Sequence, residues 1–166
     1  MAASPAMSAM LFVKYLAVIL HILTAAAYFG LGLPLARQAR AFAAGSTAIG
    51  EQGARTVRIM TMFAGLTLVF SVTAFVLGGL AAGTNPFAFY GPQFHTSLLL
   101  IIVLIGVQVV LVQGSWSKLG TAVASGADVT SPTKRVAMGV GIAHLIWVII
   151  LVLMFWSELT GSLARL

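Results

Sequence analysis

Apolar residues fill four long stretches of this chain, at about 10–35, 57–82, 94–115 and 136–156. Each reaches the roughly 20 residues needed to cross a hydrocarbon layer. A backbone in lipid must satisfy its own polar groups, and none of the stretches alternates with a strand period, so each is expected to be a helix. The four spans consume nearly all of the 166 residues, of which 60% are hydrophobic and 7% charged. This leaves no room for a separate soluble domain and predicts one all-α integral membrane domain over 1–166. Short connections favour a four-helix up-down bundle, in which the first and last spans are neighbours.

Charge then sets an orientation. Nine Lys and Arg against three Asp and Glu give a net charge of +6. A nucleic-acid partner is not the reading, because seven of the cations flank two loops. Loop 36–56 and its border carry Arg37, Arg40, Arg55 and Arg58, and loop 116–135 carries Lys118, Lys134 and Arg135. Loop 83–93 carries no charge and reads as a turn through Gly83-Thr84-Asn85-Pro86. The positive-inside rule places the two basic loops in the cytoplasm and both termini outside, in a bacterial inner membrane. Residues 1–10 read as a short tail before a retained helix. Trp156 and Tyr90 at the outer boundary, and Trp116 at the inner one, fit interfacial anchoring. Lys14, near the outer end of the first span, is placed to snorkel. With no cysteine in the sequence, disulfides, thiolate ligation and iron–sulfur clusters are excluded.

Two histidines lie where lipid makes them costly. His21 and His144 fall near the centres of the first and last spans. An ionisable residue at that depth is a functional-site hypothesis by default. At about 1.5 Å per residue, His21 lies roughly 16 Å below position 10, and His144 roughly 18 Å inside Trp156. Two imidazoles at one level predict a shared ligand: one b-type haem with His21 and His144 as axial metal ligands. Thr24 and Tyr28 lie on the His21 face, and Gly141 and Trp147 are placed beside the macrocycle near His144. His95 opens the third span at the outer interface, and Gln108 lies at its mid-depth. Both are candidates for a substrate or quinone site, with interfacial wetting and interhelical hydrogen bonding as the plain alternatives. Carboxylate dyads, phosphate loops and nucleophile–base sets are absent, and no carboxylate lies in mid-membrane.

The stretch from Lys14-Tyr15-Leu16 through His21 to Phe29-Gly30-Leu31-Gly32-Leu33-Pro34 and Arg37 resembles the first helix of a group of small bacterial membrane proteins. That group includes the membrane-bound protoporphyrinogen oxidases and the copper-resistance D proteins. Phe94-His95-Thr96-Ser97 is similar to the opening of their third helix. The resemblance implies a haem-associated four-helix scaffold with His21 as the carried-over position. The chain departs from the oxidases at Ser97, where they have lysine. It departs again at Arg135-Val136-Ala137-Met138-Gly139, where they have an Asn-Glu pair before a proline.

The expected function is therefore haem-dependent electron transfer, as an oxidoreductase exchanging electrons with a quinone or a partner redox protein. Two alternatives stand beside it. One is a cofactor-free accessory subunit, packed against partner membrane subunits or a second copy of itself. The other is copper handling through some of the seven methionines, with Met7 and Met10 above His21 as an entry.

Overall fold

The computed structural model describes residues 5–156, all of it helix and short connections, with no strand among the described residues. Helix α1 covers Pro5–Gly32, α2 Leu35–Ala43, α3 Thr47–Ala81 and α4 Pro86–Phe89. Helix α5 covers Pro92–Val107 and passes through a π-helical segment, Gln108–Gln113, into α6, Gly114–Ser125. Helix α7 covers Thr130–Met154. Four helical stretches are long and apolar enough to cross a membrane: 5–43, 47–81, 92–125 and 130–154. The chain is thus a multi-pass, all-α membrane protein with four spans.

The helices run well past the apolar stretches. The expected tail is helical from Pro5 onward, and both basic loops are mostly helix. Pro34, lacking a backbone N–H, marks the break between α1 and α2. After it, α2 is amphipathic: Leu35 and Ala39 are fully buried, while Arg37 and Arg40 face outward. Gly126 adopts φ +69° and ends α6 with a left-handed residue, which a side chain would resist.

Successive spans pack side by side, α1 on α3, α3 on α5, and α5 on α7, whereas α7 returns to α1 over only a short stretch. Burial is uneven along the bundle. The most completely enclosed side chains, among them Leu35, Val57, Met60, Leu119 and Val136, cluster at the end bearing the basic loops. There α2 packs against both α3 and α7, filling the space between the spans. Among the described residues no element equivalent to α2 fills the opposite end, and α1 meets α7 over only that short contact. Trp116 also belongs to the tight end. The expectation of an interfacial anchor is corrected: its indole is 5% exposed, lies against Gly53 and stacks on Phe42 with ring centres 6.0 Å apart. Gly53 leaves the space that lets α3 approach that ring. Trp156 is half exposed at the uncharged end.

Candidate ligand site

Helix α1 buries Ala17, His21, Thr24, Tyr28 and Gly32, a stripe at helical spacing that faces α3. His21 is therefore turned toward α3, where two residues one turn apart receive it. Its Nδ1 lies 2.7 Å from Ser71 Oγ and 3.3 Å from the Thr67 carbonyl oxygen. Ser71 Oγ also lies 2.7 Å from the same carbonyl. One proton arrangement satisfies all three contacts: Ser71 O–H and the Nδ1–H both donate, and Nε2 keeps its lone pair. The other tautomer, with the N–H on Nε2, is suited by turning the Ser71 hydroxyl onto Nδ1 and gives up the bond to the Thr67 carbonyl. No heavy atom has to move between them. Neighbouring hydroxyls close the cluster, as Thr67 Oγ1 donates to Thr24 Oγ1 at 2.9 Å and Thr24 donates to the Leu20 carbonyl at 2.8 Å.

Two cavities meet at His21. The first, about 260 Å³, runs between α1 and α7 and is lined by Tyr28, Thr67, Ile101, Trp147 and Met154 among others. The second, about 230 Å³, lies toward the uncharged end, with Ser71, Phe75, Tyr90 and Ser97 on its wall. They share His21, Ile101 and Met154. Each by itself is a little below the roughly 300–1,000 Å³ usual for a small-molecule site. No charged residue lines either one. The imidazole is the one titratable nitrogen group on walls that are otherwise nearly all apolar. Near the mouth of the second cavity, burial raises the Tyr90 phenol above its ordinary pKa, and Phe75 stacks on its ring at 4.9 Å.

His144 is elsewhere. Its Nε2 lies 3.2 Å from the Phe29 carbonyl, and its ring packs on Phe29 with centres 4.5 Å apart. One turn further along α7, Trp147 donates to the Ala25 carbonyl at 3.1 Å. These contacts fix the antiparallel register of α7 on α1, and in that register Leu151, not His144, is level with His21. Phe29 lies eight residues beyond His21, about 12 Å along the axis. A haem iron shared by His21 and His144 therefore does not fit. The depth estimate failed because α1 begins at Pro5 rather than near residue 10, and because α7 slides against α1 to suit these two contacts. The haem propionates would also lack cationic partners in the crevice.

Other expected residues divide. Tyr28 and Trp147 do line the first cavity. Thr24 is buried and supports Thr67 rather than the His21 ring. Gly141 is corrected, since it is exposed and a side chain there would meet open space. Gln108 is fully buried in the π-helical segment, away from both cavities. It accepts from Tyr28 Oη at 3.1 Å and donates to the Val57 carbonyl and Thr61 Oγ1, each at 3.3 Å. Its part is to tie three spans together, the plain alternative considered for it. His95 packs against Phe75 and Phe87 near the mouth of the second cavity. Met60 is core and Met62 faces outward, so they form no pair. No cluster of three or more His, Cys, Asp or Glu able to hold a metal ion occurs among the described residues.

Ser71 and Thr67 are the site residues that sequence reasoning passed over. Their signal was two hydroxyls at i and i+4 on the span antiparallel to His21 and at comparable depth. A family-model scan, a search of curated proteins and a search of solved structures all find no match to this chain. The class rests on the fold and the crevice: a four-span membrane protein, tight at its basic end, with one anchored histidine on the walls of two apolar cavities among the described residues.

Proposed function

We propose that this chain is a membrane quinone-binding protein that serves electron transfer to or from a partner redox protein. Its ligand ring occupies the crevice at His21. The observation that carries the reading is the imidazole itself: anchored through Nδ1, uncharged in surroundings, and with Nε2 lacking any hydrogen-bond partner among the described residues. A quinone ring is uncharged and flat, which suits walls without cations, and it asks for one donor at a carbonyl. A quinol asks for one acceptor at a hydroxyl. The two tautomers of His21 present a donor or an acceptor at Nε2, and the Ser71 hydroxyl, by rotating, pairs with Nδ1 in either one. In this reading the basic loops face the cytoplasm, and the open end of the crevice lies toward the opposite side.

A haem held by His21 alone is the second reading. It is favoured by the Nδ1 contact with a backbone carbonyl, the partner that orients many metal-bound imidazoles. There Nε2 would be the ligand, and the haem would supply one-electron chemistry.

The purified protein in lipid nanodiscs separates the two. A short-chain ubiquinone analogue is titrated while tryptophan emission is followed, Trp147 being on the cavity wall. Saturable quenching that weakens by at least about tenfold in His21→Ala, a loss of about 1.4 kcal/mol, supports quinone binding. A Soret band in the protein as purified, lost in His21→Ala and kept in His144→Ala, replaces it with the haem reading. Equal affinity in His21→Ala and the native chain, with no visible absorption, refutes both.

A further inference from the structure

The first cavity is not sealed from the flank of the bundle. Ile22 and Ala26 on α1, Leu151 on α7 and Phe155 at its C-cap line it, yet Ile22 is 56%, Leu151 41% and Phe155 55% exposed. A side chain that both borders a cavity and faces outward marks a mouth. These four form its two lips, one on each helix. The α1–α7 hydrogen bonds described above, at Ala25 and Phe29, lie on the basic side of that mouth. Ile22, Ala26 and Leu151 lie within membrane-spanning helices and Phe155 caps the last of them, so most of the mouth opens on hydrocarbon rather than on water.

We propose that this slot between α1 and α7 is a lateral portal, through which the ligand enters from the bilayer and in which its hydrocarbon chain remains. The ligand class is accordingly a chain-bearing lipid with an uncharged polar ring. The identity of the ring rests on the quinone reading above; the portal does not. Every residue on the lips is apolar, so a chain lying between them loses no hydrogen bond and displaces only lipid. Ala26 is the narrowest side chain on the α1 lip, which makes it the position where added bulk obstructs passage.

Two measurements test the portal, both in a Trp116→Phe, Trp156→Phe background that leaves Trp147 as the reporter. In vesicles of phosphatidylcholine brominated along its chains, bromine quenches indole on contact. Chains entering the slot quench Trp147, and Ala26→Phe reduces that quenching, whereas Val69→Phe, on an outward face of α3 away from both cavities, does not. His21→Ala leaves it unchanged, because chain entry does not use the imidazole. In nanodiscs, Ala26→Phe slows association of a long-chain ubiquinone by roughly tenfold, and by less for a chainless ubiquinone. Equal bromine quenching in Ala26→Phe and its background overturns the portal, as does equal slowing of both quinones. Failure of the quinone reading looks different: no saturable quinone binding, with bromine quenching still sensitive to Ala26→Phe.

Discussion

The buried contact between Tyr28 and Gln108 offers a quantitative test of how the tight end is held. Tyr28 is 1% and Gln108 0% exposed, and the phenol donates to the amide oxygen at 3.1 Å. Tyr28→Phe removes the donor and keeps the volume, while the Gln108 amide N–H groups retain Val57 and Thr61. Hydrogen bonds between membrane helices average about 0.6 kcal/mol and reach about 1.7, so a loss of about 1 kcal/mol is expected. Gln108→Leu is worse. It strands the Tyr28 hydroxyl in a site without water and breaks the bonds to α3, for a loss of about 1–3 kcal/mol. Once Gln108 is leucine, the hydroxyl has nothing to bond, and removing it as well costs nothing or helps. The loss in the double variant should therefore be about 1 kcal/mol smaller than the sum of the single losses. Unfolding equilibria measured by steric trapping in bicelles supply all four corners of the cycle. Additivity within about 0.3 kcal/mol would show that the two side chains are not coupled and would refute this account of the network.

Three further outcomes are expected. Ser71→Ala leaves the His21 ring nitrogen with the Thr67 carbonyl alone and should weaken quinone binding about threefold, the worth of one average membrane hydrogen bond, in the same fluorescence titration; a drop as large as that of His21→Ala would assign Ser71 a direct contact instead. Gly53→Ala drives a methyl into the buried Trp116 indole and should cost about 1–3 kcal/mol with a shift in Trp116 emission, whereas Gly65→Ala, with open space around it, should be neutral in thermal unfolding. Asp128 accepts from the Thr130 backbone N–H at the start of α7, which, with its side-chain bond to Thr130, holds the carboxyl below its ordinary pKa. A depressed folded-state pKa stabilises above the unfolded value and is lost as pH falls through the folded one. Hydrogen exchange at the Thr130 amide should accordingly speed up, relative to its neighbours, on acidification, and Asp128→Ala should abolish that acid-dependent change.

The spans were readable because apolar length is a local property, and lipid permits a long apolar run only one backbone solution. Their ends were less so. The sequence at 36–56 and 116–135 is polar enough to read as loop, yet most of it is helix, because Leu35, Ala39, Trp116 and Leu119 find partners across the bundle. Of the candidate site, His21 was found from its cost in lipid, and Tyr28 and Trp147 from helical spacing. Ser71 and Thr67 were missed because a serine or threonine in a membrane helix ordinarily bonds its own i−4 carbonyl, as Ser71 in fact does.

Composition and spacing along the chain determined that four helices cross the bilayer and that an imidazole lies within the first. Depth follows from counting residues at a fixed rise. Which way that ring turns, and what stands opposite it, was decided only by tertiary packing. A helix turns about 100° per residue, so a slide of one span against another changes every facing partner while leaving hydropathy untouched. Here the slide that lets His144 and Trp147 reach the α1 backbone sets Leu151, not a second histidine, across from His21, and α2 fills the space between the spans at the basic end.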